Sequence, residues 1–315
     1  MLHVTNGDAA AEVIRASGVG GEVLPWRDVL HEGPVPAGLP LEELSVVRAD
    51  FIAGEGWGAA AEMRREFEAR DEVLAGFGAH DEVVLWFEHD LYDQLQLAQL
   101  LDFFATAERG ETRLTLVCGP EYLGPSTPER LAARFEERAE VTDEQLSLGR
   151  AAWAAFRSPD PRAVAARVMQ DMPELPFVRT ALIRHLEQFP STRNGLSRSE
   201  QQALEAIADG AGTVRNAYFA SHQRREDPIW LGDATFLSYL EGLAAGASPL
   251  VTLGDGAGEL ERPVELTDAG RAVLEGSADR VRLNGIDRWL GGVHLQGHES
   301  PWRWDVAHRR LAEAN

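Results

Sequence analysis

Four short apolar runs punctuate the first half of the chain. Each is followed by a longer stretch whose apolar residues recur every three or four positions. The runs are residues 2–5 (LHVT), 22–25 (EVLP), 83–87 (VVLWF) and 113–118 (RLTLVC). The run 83–87 has no polar alternation and is rich in β-branched and aromatic residues, which suits a strand covered on both faces. Helical periodicity is read over 9–16, 41–53, 59–74 and 91–105, with a further helix starting at Thr127-Pro128-Glu129, where proline takes the first helical position. Strands alternating with helices predict an α/β fold, a Rossmann-like and mainly parallel sheet, over residues 1–142.

Gly18, Gly20 and Gly21 resemble a dinucleotide fingerprint but follow a helix and precede a strand, so they are read as a helix end and turn. From 143 to 190 the pattern is helical and interrupted by Pro159, Pro161, Pro173 and Pro176, which predicts a helical connector. Residues 191–315 open on the capping-box pattern Ser197-Arg198-Ser199-Glu200. Helices are then expected to 208, over 214–222 and over 233–244, followed by strands at 250–253 and 263–266 and a helix at 267–274. Three helices and a hairpin predict a winged-helix-like domain. Leu266-Thr267-Asp268-Ala269-Gly270-Arg271 looks like the hairpin-to-helix step of bacterial winged-helix regulators.

Charge and composition narrow the functional classes. The chain has 315 residues, 44% hydrophobic and 26% charged, with a net charge of −21. All 30 basic residues are arginine, which excludes a P-loop lysine, a Schiff-base lysine and a lysine general base. Residues 1–189 carry 17 arginines against 33 acids, and residues 190–315 carry 13 against 18. Nucleic-acid binding draws on phosphate neutralisation, so both halves weigh against it. The single cysteine, Cys118, excludes an intrachain disulfide and a multi-cysteine metal site. With no apolar run of membrane-spanning length and no basic-then-apolar leader, a cytoplasmic protein is expected.

The candidate chemistry gathers where the third strand turns into its helix. Glu88, His89, Asp90, Asp93 and Gln94 crowd that turn. Asp90 is placed to cap the helix, and Asp93 and Gln94 fall on its apolar face, where a polar group needs a partner or a cleft. The first two strands also end in polar groups: Asn6-Gly7-Asp8, and Arg27-Asp28 with His31 beyond. In a parallel sheet these ends converge on the edge where ligands bind.

The expected ligand is small and anionic, a nucleotide or phosphate ester. Asn6, Gly7, Asp8, Arg27, His31 and Gln94 would bind it through backbone amides, side-chain hydrogen bonds and a guanidinium. His89 would be the general acid/base, oriented by Asp90 or Asp28. Asp8, Asp28, His89 and Asp90 also form a donor set suited to magnesium, manganese or zinc, although no spacing among them is diagnostic. His294 and His298 are read as loop residues. Two alternatives compete: a ligand-responsive DNA-binding regulator, and a protein-interaction module drawing on Trp289, Trp302 and Trp304.

Three segments carry a family resemblance: His3-Val4 with Gly7-Asp8-Ala9-Ala10, the run Asp28-Val29-Leu30-His31-Glu32-Gly33-Pro34, and Trp86 with Gln94. Over roughly residues 1–120 the chain resembles an uncharacterised bacterial family, domain of unknown function 1835. The resemblance implies an α/β domain and no established reaction. Glu88-His89-Asp90 is more charged than the family pattern.

Overall fold

The computed structural model describes residues 1–313, which divide into two compact units. The first holds Met1–Leu182 with Gly291–Val293. The second holds Ile183–Leu290 and the chain from His294.

In the first unit, β1 (Leu2–Thr5), α1 (Asp8–Ala16), β2 (Glu22–Pro25), the two-residue β3 (Gly33–Pro34), α2 (Leu41–Gly54) and α3 (Ala60–Ala75) come first. They are followed by β4 (Glu82–Phe87), α4 (Leu91–Thr106), β5 (Arg113–Cys118), α5 (Pro128–Glu136), β6 (Ala139–Glu140), α6 (Asp143–Phe156) and α7 (Arg162–Arg167). Five strands form one sheet in the order β2-β1-β4-β5-β6. The first four are parallel, and β6 is an antiparallel edge strand. Thr5 aligns with Pro25 and Trp86, and Phe87 aligns with Cys118. The chain therefore leaves the sheet along one common edge, at Asn6, Trp26, Glu88 and Gly119. Strand order reverses between β1 and β4, because β2 lies on one side of β1 and the later strands on the other. That reversal is where open α/β sheets leave a crevice.

The core explains why the runs fold as strands. All six residues of β4 are buried. Val84, Trp86 and Val117 pack with Ala10, Ile14, Leu131 and Phe135 of α1 and α5. Trp86 stacks on Phe135 at 6.2 Å between centroids, and its Nε1 donates to His3 Nδ1 at 3.0 Å. Since Nδ1 accepts, the His3 proton sits on Nε2 and is donated to Gly20 O at 2.7 Å. Burial holds the His3 pKa below its usual value, so the ring stays neutral and serves the fold.

The helices expected as a connector from 143 onward lie within the first unit as far as Leu182. The reason is α6, whose apolar side packs along α4 and buries Leu146, Ala152, Trp153 and Phe156. The division between the units falls inside α8 (Val178–Leu186).

The second unit runs α9 (Arg198–Ala208), α10 (Val214–Tyr218) continuing into a π-turn at Phe219–Gln223, and α11 (Asp233–Ala244). An antiparallel pair, β7 (Val251–Leu253) and β8 (Val264–Leu266), precedes α12 (Asp268–Glu275) and α13 (Arg280–Asn284). The Ser197–Glu200 capping box forms as expected. Buried Arg184 pairs bidentately with Glu226 and donates to Ser199 and Gln188. Strands β9 (Ile286–Gly291), β10 (Val293–Gly297), β11 (Trp302–Asp305) and β12 (Arg310–Glu313) follow. His294, expected in a loop, lies in a strand, β10, whereas His298 lies just beyond it. His294 is stacked on Trp289 and bonded to Asp287, and His298 bonds to Arg282 O, so each ring has its own local partner. Trp304 is buried and not part of an exposed tryptophan cluster.

No helix among the described residues is long and apolar enough to cross a membrane.

Candidate functional site at the strand ends

Three carboxyl groups meet at the β1/β4 reversal. Glu88 follows β4, Asp90 caps α4 through its Oδ1 and the Asp93 amide (3.0 Å), and Asp93 lies in the first turn of α4. One oxygen from each lies within 4.8 Å of the others. Asp93 Oδ1 accepts from the Glu88 amide at 2.7 Å, and its Oδ2 accepts from Asn6 Nδ2 at 2.8 Å. Glu88 Oε1 accepts from the Leu123 amide at 2.6 Å, and Gln94 Nε2 donates to the Glu88 carbonyl. Asn6, Asp90, Asp93 and Gln94, singled out by the sequence, are thus brought together.

Burial dominates the electrostatics of this group. The three side chains are almost wholly enclosed, and no ion pair reaches them among the described residues. Desolvation, followed by mutual repulsion, pushes Asp93 well above the ordinary carboxylate range. Burial and the nearby Glu88 charge move Asp90 to about 7. Burial also raises Glu88, although the Leu123 amide and Asn6 oppose it. Around neutral pH the group therefore shares protons. Chemically it can donate or take a proton, and its oxygens are the hard donors that magnesium, manganese or calcium prefer.

The remaining candidates sit elsewhere. Gly7 is the N-cap of α1, and Asp8 is its first residue. Asp8 forms an exposed bidentate pair with Arg27, at 2.6 and 2.8 Å, which takes that guanidinium. Asp28 is 1% exposed and pairs with Arg48 Nε at 2.9 Å. Arg48 is fully buried and also donates to the carbonyls of Val29, Glu32 and Pro34. Asp28 therefore anchors a loop through Arg48. His31 is buried edge-on against Tyr92 at 5.7 Å. The His89 ring packs against Tyr122 and Phe177 at 5.2 and 5.8 Å. The donor set Asp8, Asp28, His89 and Asp90 does not assemble; the trio Glu88, Asp90 and Asp93 does.

A cavity of about 420 Å³ opens beside the trio, at the end of β5. Gln94, Cys118, Gly119, Glu121, Arg134 and Phe177 line it. Burial pushes the Cys118 thiol up to about 12, so it is not a thiolate nucleophile at neutral pH. Arg134 pairs only loosely with Glu121, at 3.7 Å. Sequence reasoning missed Arg134, Arg48 and Glu88's partner Leu123. An arginine on an amphipathic helix carries no local mark of the direction it faces.

No protein-family model matches this chain, and no curated protein matches it either.

Proposed function

We propose that the first unit, an α/β domain of the kind the resemblance to domain of unknown function 1835 implies, binds a small ligand at the β1/β4 reversal. The ligand is a nucleotide or phosphate ester. It enters the cavity at the end of β5, where Arg134 supplies the cation and Gln94 a hydrogen bond. Asp90 takes the acid/base role, in hydrolysis of the ester, in preference to His89. One observation carries this reading: three buried carboxyl groups meet at the strand reversal with oxygens within 4.8 Å of one another, and burial moves Asp90 to about 7, the range in which a group both gives and accepts a proton.

A thermal-shift screen of nucleotides and phosphate monoesters tests it. Stabilisation of the wild type by such a ligand is expected, with loss in Arg134→Met and with retained binding but no turnover in Asp90→Asn. Absence of any shift across the set would refute the proposal.

A second reading, a ligand-responsive DNA-binding regulator, draws on the second unit. The order α9, α10, α11, β7, β8, with an antiparallel bridge between Thr213 and Pro263, supports reading it as winged-helix-like. Its charge speaks against DNA. The helix in the recognition position, α11, carries Asp233 and Glu241 and no arginine, and Arg215, Arg225 and Arg262 are each engaged by acids. A protein partner suits this surface better. Salt-dependent DNA binding abolished by Arg224→Ala/Arg225→Ala would reverse that preference.

A further inference from the structure

Helices α2 and α3 pack against each other through Ala49, Ile52 and Phe67. Arg64 pairs with Asp50 and Arg70 reaches Ser45, so the two helices run antiparallel. A groove of about 470 Å³ lies between them. On α3 it is lined at Arg64, Glu68, Glu72 and Ala75, a spacing that keeps to one helix face. At 1.5 Å per residue that stripe is about 17 Å long, the length of about three helical turns.

The groove combines apolar surface with uncompensated charge. Val46 on the α2 wall is 49% exposed, Ala75 is exposed opposite, and buried Phe67 forms part of the floor. Glu42, Glu68 and Glu72 rim it, all exposed, and none makes an ion pair among the described residues. The cations nearby are committed: Arg64 is held bidentately by Asp50, and Arg70 by Asp71. Like charges four apart on one helix face destabilise the helix, so Glu68 and Glu72 gain nothing from each other in the free chain. A cation brought from outside relieves both. Phosphate-bearing nucleic acid and anionic membrane are repelled by the same rim.

We propose that this groove docks a cationic amphipathic helix of a partner protein. An aliphatic or aromatic anchor of that helix packs on Val46 and Ala75. Arginines or lysines four residues apart meet Glu68 and Glu72, and a further one meets Glu42 on the opposite wall. No residue of the groove belongs to the carboxyl trio or to the cavity at the end of β5, so the inference stands apart from the phosphate-ester reading.

Fluorescence anisotropy of the full chain with two labelled peptides, each about three turns long, provides the test. One is a helix with leucine along one face and arginine on its flanks. The other carries alanine for each leucine at equal charge. The leucine peptide should bind, and the alanine peptide about ten-fold more weakly or not at all. Glu68→Gln/Glu72→Gln should weaken binding of the leucine peptide roughly three- to ten-fold. Val46→Arg should abolish it, with thermal melting unchanged because that side chain is half exposed. Glu108→Gln/Glu111→Gln, exposed acids between α4 and β5, should bind as the wild type does, which separates docking from general attraction to an acidic chain. No binding of the leucine peptide, equal binding of the two peptides, or an equal loss in the Glu108/Glu111 variant would each overturn the inference. Dimerisation in sedimentation velocity that Val46→Arg abolishes would also overturn it, by assigning the groove to a second copy of the chain.

Discussion

Two buried acidic centres lie along one sheet edge, and they solve the same problem differently. Asp28 is matched by Arg48, a side chain with no exposure, which also binds three loop carbonyls. Glu88, Asp90 and Asp93 form no ion pair among the described residues and rely on amides, Asn6 and retained protons. The first centre is compensated and rigid, and it fixes the chain from Asp28 to Pro34. The second is uncompensated, and its ionisation is held back by burial. Perturbed groups of the second kind cluster at functional sites, whereas compensated pairs commonly serve the fold.

The largest way to break this contrast is to uncompensate the first centre. Arg48→Met leaves Asp28 buried and alone and strips three carbonyls of a donor. Urea denaturation should show a loss of ~3–5 kcal/mol. A variant as stable as the wild type would mean that the pair contributes nothing.

The converse change relieves the second centre. The folded-state pKa of Asp90, about 7, lies above its unfolded value. The folded state therefore binds more protons between the two, and the contribution of this group to stability falls as pH rises from about 4 to about 7. Asp90→Asn keeps a good cap for α4 and removes the charge. It should match the wild type near pH 4 and exceed it at pH 8 by roughly 2–4 kcal/mol. Equal stability of the two proteins at pH 8 would show that Asp90 ionises at no cost.

Next in size is Gly33→Ala, which attacks the loop that Arg48 holds. Gly33 has φ +73°, and an added Cβ would lie 2.5 Å from the Phe51 ring. Backbone strain and overpacking together should cost about 2–3 kcal/mol by thermal or chemical melting. The smallest effect is expected at the exposed Arg27–Asp8 pair. Arg27→Ala should change stability by less than ~1 kcal/mol, and salt should erase the difference.

This comparison also shows which site residues local pattern can find. Asp90, Asp93 and Gln94 stood out because polar residues interrupt the apolar face of a helix just after a buried strand. Asp28 stood out as a polar residue just past the end of the second strand, yet in the fold it is taken up by Arg48, 20 residues away. Arg27 was read as free for an anion, but Asp8 occupies it. The strands after 285 were missed because their apolar residues are sparse and their antiparallel pairing is not written in any short run.

By itself, the sequence determined the parallel strands, their helices, the caps at Asp90, Thr127 and Ser197, and the edge on which polar groups gather. These follow from periodicity and from local hydrogen bonding, which act within a few residues. Only the tertiary structure decided which charges are paired. Pairing depends on side chains far apart in the chain meeting in a medium where an unpartnered charge is costly, and no local pattern encodes that meeting.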